Sequence, residues 1–220
     1  MWTRTGIRCA RRTQVKIGLT LASPPMLAAA RAAATAEGVV VEWHEGSAVE
    51  LPFADAAFDV VLCQHGLQFF PDKPGALRDM NRVLRPGRRL VLSVWGPLER
   101  SPGFAVLAEA LTRHVNPTVG GLIASGPFDL GDAEELRALI GGADFKDITV
   151  RRAVKTLRYP SPDEFVLGYV ASSALASAVG DADERARASV LAEVGAKLAS
   201  AVDDRGLGFP IATNIAIARC

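Results

Sequence analysis

Apolar positions along the chain fall into two kinds of run. Four are short and compact: QVKIGLTL (14–21), VVVEWHE (39–45), Phe58–Cys63, and RRLVLSVW, which ends at Trp95. Compact apolar runs rich in Val, Ile and Leu predict strands. Between them lie PPMLAAARAAATAEG and PDKPGALRDMNRVLRPG, which read as helices. Ser23 is placed to cap the first, Pro24 suits its first turn, and Gly38 closes it. In the second, Leu77, Met80, Val83 and Leu84 recur at helical spacing, and Pro86-Gly87 stops it. The unbroken apolar run Phe58–Cys63 predicts a strand buried on both faces, as in a parallel sheet.

After Ser101 the texture changes. GFAVLAEALTRHV predicts a helix, NPTVGG a loop, DAEELRALIGGA a capped short helix, and FKDITVRRAVKTLRY a strand. Residues 161–202 predict two helical stretches, and GFPIATNIAIAR a final strand. Strands alternating with helices predict an α/β, Rossmann-like doubly wound sheet with a helical lid, in one domain spanning 1–220. In such sheets ligands sit beyond the carboxyl ends of the strands. The strand Phe58–Cys63 stops at a polar crest, Gln64-His65-Gly66, at such an end.

Composition narrows the classes. Hydrophobic residues make up 49% and charged residues 22%, which is globular rather than disordered. A formal net charge of +1 supplies no global field toward nucleic acid. Cys9, Cys63 and Cys220 are odd in number and widely spaced, so neither a disulfide framework nor a metal site is expected, and a reducing cytoplasm fits. No apolar run is long enough for a transmembrane helix. Before Glu37 there is no acidic residue, and Arg11-Arg12 ahead of IGLTLASPPMLAAA has the outline of an export signal. Pro24-Pro25 and Arg31 interrupt that outline and favour the strand–helix reading.

Residues 24–96 resemble the middle of a class I S-adenosylmethionine-dependent methyltransferase, in the ubiquinone/menaquinone-biosynthesis group of small-molecule enzymes. Four segments in order carry the resemblance: PPMLAAAR, EGSAVELPFADAAFDVV, CQHGLQFFPD and ALRDMNRVLRPGRRLVLSVW. It implies S-adenosylmethionine as cofactor and a small-molecule acceptor. It also implies a division into an atypical segment 1–16, a cofactor-binding core 17–96, and lid helices with the last strands in 97–220. Ser47 stands where relatives carry an Asp that accepts from the adenine amino group, and its hydroxyl can accept instead. Ala48 matches a backbone contact to adenine, and Leu51 and Phe53 are candidate walls for the base. Gln64 matches a position at the cofactor's amino acid end, with His65 and Gly66 lining the same crevice. The ribose-holding position falls at Thr20 or Leu21, neither acidic.

The family's first strand and its glycine-rich loop, E/D-x-G-x-G-x-G, have no counterpart in these 220 residues. The expected sheet is therefore N-terminally truncated or altered. Glycine matters there because it lets backbone approach the cofactor closely. Methyl transfer from a sulfonium needs alignment more than acid–base chemistry. If the acceptor must lose a proton, His65 and His114 are the candidate bases. Trp95, Phe104, Phe128 and Tyr159 are candidate apolar walls for the acceptor. A binding module that keeps the fold without the activity is the alternative reading, and a nicotinamide enzyme is a third.

Overall fold

A computed structural model describes residues 18–21, 24–38, 42–173 and 175–220. The strand positions 14–17 and 39–41, the Ser23 cap and the arginine-rich start lie outside the described residues.

β1 (Gly18–Leu21) leads into α1 (Pro24–Ala36) and β2 (Glu42–Glu45), which pairs parallel with β1. Gly38 ends the helix at φ +65°, the left-handed conformation that favours glycine. β3 (Phe58–Gln64) is followed by α2 (Lys73–Val83) and β4 (Leu84–Trp95), parallel to β3. Asp72 caps α2 by accepting from Gly75 N at 2.8 Å. The helix stops at Val83, before Pro86-Gly87, because that pair falls within β4. There the register with β3 slips between Phe58 and Val60, with Gly87 at φ +75°. Then come α3 (Pro102–His114), α4 (Pro117–Ser125), α5 (Ala133–Gly141) and β5 (Lys146–Tyr159). α6 (Pro162–Ala171), α7 (Leu175–Gly180) and α8 (Glu184–Leu198) precede the hairpin of β6 (Val202–Asp203) and β7 (Gly206–Arg219).

The main sheet runs β3-β4-β7-β5, with β7 antiparallel to both neighbours and β6 paired to β7. The β1–β2 pair forms a separate sheet. The α/β, Rossmann-like expectation is met, and β7 explains how both faces are covered. Leu207, Phe209 and Ile211 are buried on one face, and Ala212, Asn214, Ala216 and Ala218 on the other. Side chains alternate along a strand, so the buried face changes between Ile211 and Ala212. The first half of β7 packs with Phe104, Leu107, Phe165 and Val194 of the helical layer. The second half packs with Leu77 and Met80 of α2 and Leu136 and Ile140 of α5.

Three expectations are corrected. β3 is not buried on both faces: Val60 is 48% and Leu62 67% exposed. Among the described residues it is an edge strand, with Cys63 buried and Val61 packed on the core from one face. NPTVGG is not a loop but the start of α4. Asn116 Oδ1 caps it by accepting from Val119 N at 2.9 Å, and Pro117 fits the first turn. Its glycines serve close packing: a Cβ at Gly120 would collide with Thr112 Oγ1 and lie 2.6 Å from Ala108 O. Residues 161–202 hold three helices rather than two, α7 being a short extra turn.

Gly120→Ala should therefore destabilise by about 1–3 kcal/mol through overpacking against α3. Gly121→Ala, where an added Cβ meets nothing within 4 Å, should be neutral or stabilising by up to about 1 kcal/mol. Urea unfolding of the two variants checks the contrast.

Candidate functional site

The crest begins where β3 runs out. Gln64, opposite Ser93 of β4, is exposed. The next residue keeps the ladder going for one more bond, His65 N donating to Ser93 O at 2.8 Å. His65 takes φ +49°, an uncommon conformation for a residue with a Cβ. Its imidazole lies flat on Trp95 from the end of β4, with ring centroids 3.8 Å apart and planes inclined by 22°. Gly66 fits tightly, since a Cβ there would stand 3.3 Å from Cys63 Sγ and from the Phe70 ring. A single turn of 3-10 helix, Leu67–Phe69, follows.

Three buried polar atoms of this crest have no hydrogen-bond partner: His65 Nδ1, Gln68 Nε2 and Gln68 Oε1. Gln68 is 3% exposed. An orphaned buried polar group costs about 1–3 kcal/mol, and such groups are rare enough to need a reason. Burial also lowers the His65 imidazole from 6.5 to about 4. The ring is neutral at physiological pH, one nitrogen donating and the other accepting. Burial pushes the neighbouring Cys63 thiol up, so it stays protonated.

The loop carrying Ser47, Ala48 and Leu51 is held from α2. Arg82 Nη1 donates to Phe53 O at 2.7 Å and Asp55 Oδ1 at 2.8 Å, and Nη2 to Leu51 O at 3.1 Å. Asp79 accepts from Leu51 N at 2.6 Å and from Arg82 Nε at 2.7 Å. Partial burial pushes the Asp79 carboxyl up, but its bonds from Arg82 and Leu51 N outweigh that and leave it below the usual carboxylate range. Arg82 is raised in turn by Asp79 and Asp55 and stays charged. Its planar fork matches several carbonyl and carboxylate acceptors at once. Ser47 is exposed, and its Oγ accepts from Val49 N at 3.4 Å in its own turn. Ala48 and Leu51 are half-buried against the core. Phe53 stands edge-on to His44 at 4.8 Å and to Phe58 at 4.9 Å, joining β2 to the start of β3.

Gln64, His65 and Gly66 thus stand together beside Trp95, and Ser47, Ala48 and Leu51 share one braced loop. Thr20 and Leu21 end β1 opposite His44 and Glu45, just ahead of that loop. No described contact brings them to the crest. His114 is not at the site. It ends α3, a helix length from Ser101, with Nε2 2.7 Å from Glu193 Oε2 of α8. Lys197 foremost, with His114 and Arg113, holds that Glu193 carboxyl down. Phe104, Phe128 and Tyr159 pack in the helical-layer core, Phe104 and Phe128 buried. A groove of about 630 Å³ between α3 and α4, lined by Ala105, Ala108, Pro117 and Gly121, contains none of the crest residues. Sequence reading missed Gln68, whose signal was an amide inside the apolar run Leu67–Phe70. It also missed Arg82 and Asp79, polar positions spaced i, i+3 between Leu77, Met80 and Val83.

Known proteins share this fold. With the putative methyltransferase from Bacillus halodurans the chain shares its fold at a TM-score of 0.59 and 19% identity, over 93% of this chain and 83% of that one. The fold is therefore the Rossmann-like methyltransferase fold. Residues 9–92 match the family model Methyltransf_11, a methyltransferase domain. The demethylmenaquinone methyltransferase of Thermus thermophilus is 42% identical over 106 residues, which cover 48% of this chain and 47% of that protein. The ubiquinone/menaquinone biosynthesis C-methyltransferase UbiE of Serratia proteamaculans is 32% identical over 119 residues, 50% of this chain and 47% of that protein. The matched region spans about half the length of these relatives. Over that region the chain is similar to the methyltransferase domain family and to methyltransferases of the ubiquinone/menaquinone group.

The His65 imidazole should titrate by NMR near pH 4 rather than 6.5. Because its folded pKa is depressed, the neutral ring's contribution to stability should be complete above pH 6.5. It should fade as the pH falls from 6.5 toward 4, where the unfolded chain binds the proton and the native one does not. Replacing His65 by Gln should flatten that part of the stability profile.

Proposed function

We propose that this chain binds S-adenosylmethionine between the braced loop 46–53 and the crest 64–68, and directs its methyl group to a small, partly apolar acceptor. The observation that carries the proposal is the pair of buried, unpartnered groups within the segment 64–68, the amide of Gln68 and Nδ1 of His65. A ligand with donors and acceptors at its amino acid end would satisfy both.

When bound, the cofactor supplies an already activated methyl on sulfur. The residues of this chain then need to hold, align and exclude water. Gln64, Gly66 and Gln68 are assigned to the amino acid end. Ser47, Ala48, Leu51 and Phe53 are assigned to the adenine side, with Arg82 positioning their backbone. Thr20 and Leu21 take the ribose side, through backbone or hydroxyl rather than a carboxylate. Replacing a charged acceptor there weakens binding by about tenfold or more. His65 is assigned an orienting role, because a base that titrates near 4 is too weak for general-base work near neutral pH. The acceptor side falls to Trp95 and the lid segments 97–125 and 155–202, the chain acting as one unit. The names of the relatives favour a quinone-type ring as acceptor. A cytoplasmic location belongs to the same proposal. Among the described residues no helix is long and apolar enough to cross a membrane.

Calorimetry with S-adenosylhomocysteine tests the reading. Micromolar binding is expected for the unaltered chain, with a loss of about tenfold or more in Gln68→Leu. Gln68→Leu should at the same time raise the unfolding midpoint, because it removes two orphaned polar atoms from the interior. Absence of binding up to millimolar ligand in a folded protein would overturn the proposal and favour the non-catalytic module.

A further inference from the structure

The crest carries an inversion of polarity that the cofactor contacts do not explain. In the 3-10 turn Leu67–Phe69, the amide residue Gln68 is 3% exposed and the next residue, Phe69, is 58% exposed. Ordinary burial preference sets an amide outside and a phenyl ring inside. Phe69 is also the one exposed aromatic residue among the described residues, where every other Phe, Tyr and Trp is buried or half-buried. The other large apolar side chains left exposed are Val, Leu and Ile. The turn fixes Phe69 in this position. Its N donates to Gly66 O at 2.9 Å, and Phe70 N donates to Leu67 O at 3.1 Å. At three residues per turn Leu67 and Phe70 share a ridge, and both pack on the core with Leu77 and Met80, which leaves Phe69 outside it. The nearest charges in sequence are engaged, Asp72 with Gly75 N at 2.8 Å and Lys73 with Asp129 at 3.0 Å. The face that remains is apolar, aromatic and uncharged.

We propose that Phe69 is the acceptor-contacting residue of the crest, stacking on the flat ring of an uncharged aromatic acceptor. Its role rests on the methyl-transfer reading above and adds a residue to that site. In the cofactor, the sulfur bears the methyl and the amino acid arm together, so the groups that hold the arm stand close to the point of transfer. Gln68 turns inward to the arm, and Phe69, the next residue, turns outward to the side open to an acceptor. In the transfer, an electron pair of the acceptor atom forms the new bond to the methyl carbon, while the carbon–sulfur bond breaks and its pair returns to sulfur. Phe69 exchanges nothing in that step and holds the acceptor ring in place for in-line attack. Aromatic pairs add to what area burial alone supplies. A single exposed Phe is common on a protein surface. Two adjacent residues that both break the burial rule mark a site that a ligand completes.

Naphthol, a flat and neutral two-ring probe, tests this on the full chain saturated with S-adenosylhomocysteine. Calorimetry is expected to show naphthol binding, weakened about tenfold in Phe69→Ala and restored in Phe69→Tyr. Phe69→Ala should keep its affinity for S-adenosylhomocysteine and its unfolding midpoint, because the exposed ring adds little to the core. Equal naphthol affinity in Phe69→Ala, or no naphthol binding while S-adenosylhomocysteine binds, would overturn the inference and leave the cofactor site standing. A lowered unfolding midpoint with both affinities falling together would make Phe69 a structural residue and overturn it as well. Failure of the folded chain to bind S-adenosylhomocysteine would overturn both readings.

Discussion

The parallel ladder between β3 and β4 is the constraint on which the candidate site depends. From Val60 to Gln64 it runs in register against Arg89 to Ser93, and its last bond, His65 N to Ser93 O, draws one more residue into line than the strand's geometry allows. The backbone responds by turning left-handed at His65, a conformation that costs a non-glycine residue on the order of 1 kcal/mol. The turn lays the imidazole on Trp95 and aims the chain inward, so that Gln68 is buried three residues later. The strained φ, the stacked ring and the orphaned amide are thus one event read at three places. Arg82 and Asp79 do for the loop 46–55 what the ladder does for the crest, and both act from elements flanking β3. The two halves of the proposed site are therefore both held by the β3–α2–β4 unit.

Much of that unit could be read from the sequence. The helical spacing of Leu77, Met80 and Val83 and the compact run before Gln64 gave the right elements in the right order, because local pattern and tertiary packing agree there. β3 misled because an apolar run states what a strand would prefer to bury, not whether a neighbour exists to bury it. NPTVGG misled because glycine serves both turns and close helix crossings, and only the position of Thr112 and Ala108 decides which. In the site, Gln64-His65-Gly66 was legible as polar residues ending an apolar run. Gln68 was not, since an amide among Leu67, Phe69 and Phe70 looks like an ordinary surface position. Arg82 was hidden for the opposite reason. A charged residue on an amphipathic helix is usually solvated, and its acceptors here are carbonyls some thirty positions away in the chain. His114 looked available by chemistry alone, and its hydrogen bond with Glu193 places it in the helical layer.

The change of buried face halfway along β7 joins the two cores. Phe209 and Ile211 belong to the helical layer, and Ala216 and Ala218 to the layer of α2 and α5, yet they lie on one continuous strand. A displacement of β7 along its axis would be felt in both cores. It would also be felt at the crest, because Trp95 pairs with Thr213 just past the switch. Buried Asn214 reinforces this point by donating to Gly131 O at 2.8 Å, tying the strand to the loop ahead of α5.

The position of β7 has a consequence for how the protein is made. It follows β5 and the lid helices in sequence, yet it lies between β4 and β5. While it is still being synthesised, β4 has an open edge where its antiparallel partner belongs, and β5 has no sheet to join. The sheet can complete only after residues 206–219 have left the ribosome, by contacts that span more than half of the chain. Such long-range pairing is slow and leaves apolar strands uncovered in the interval.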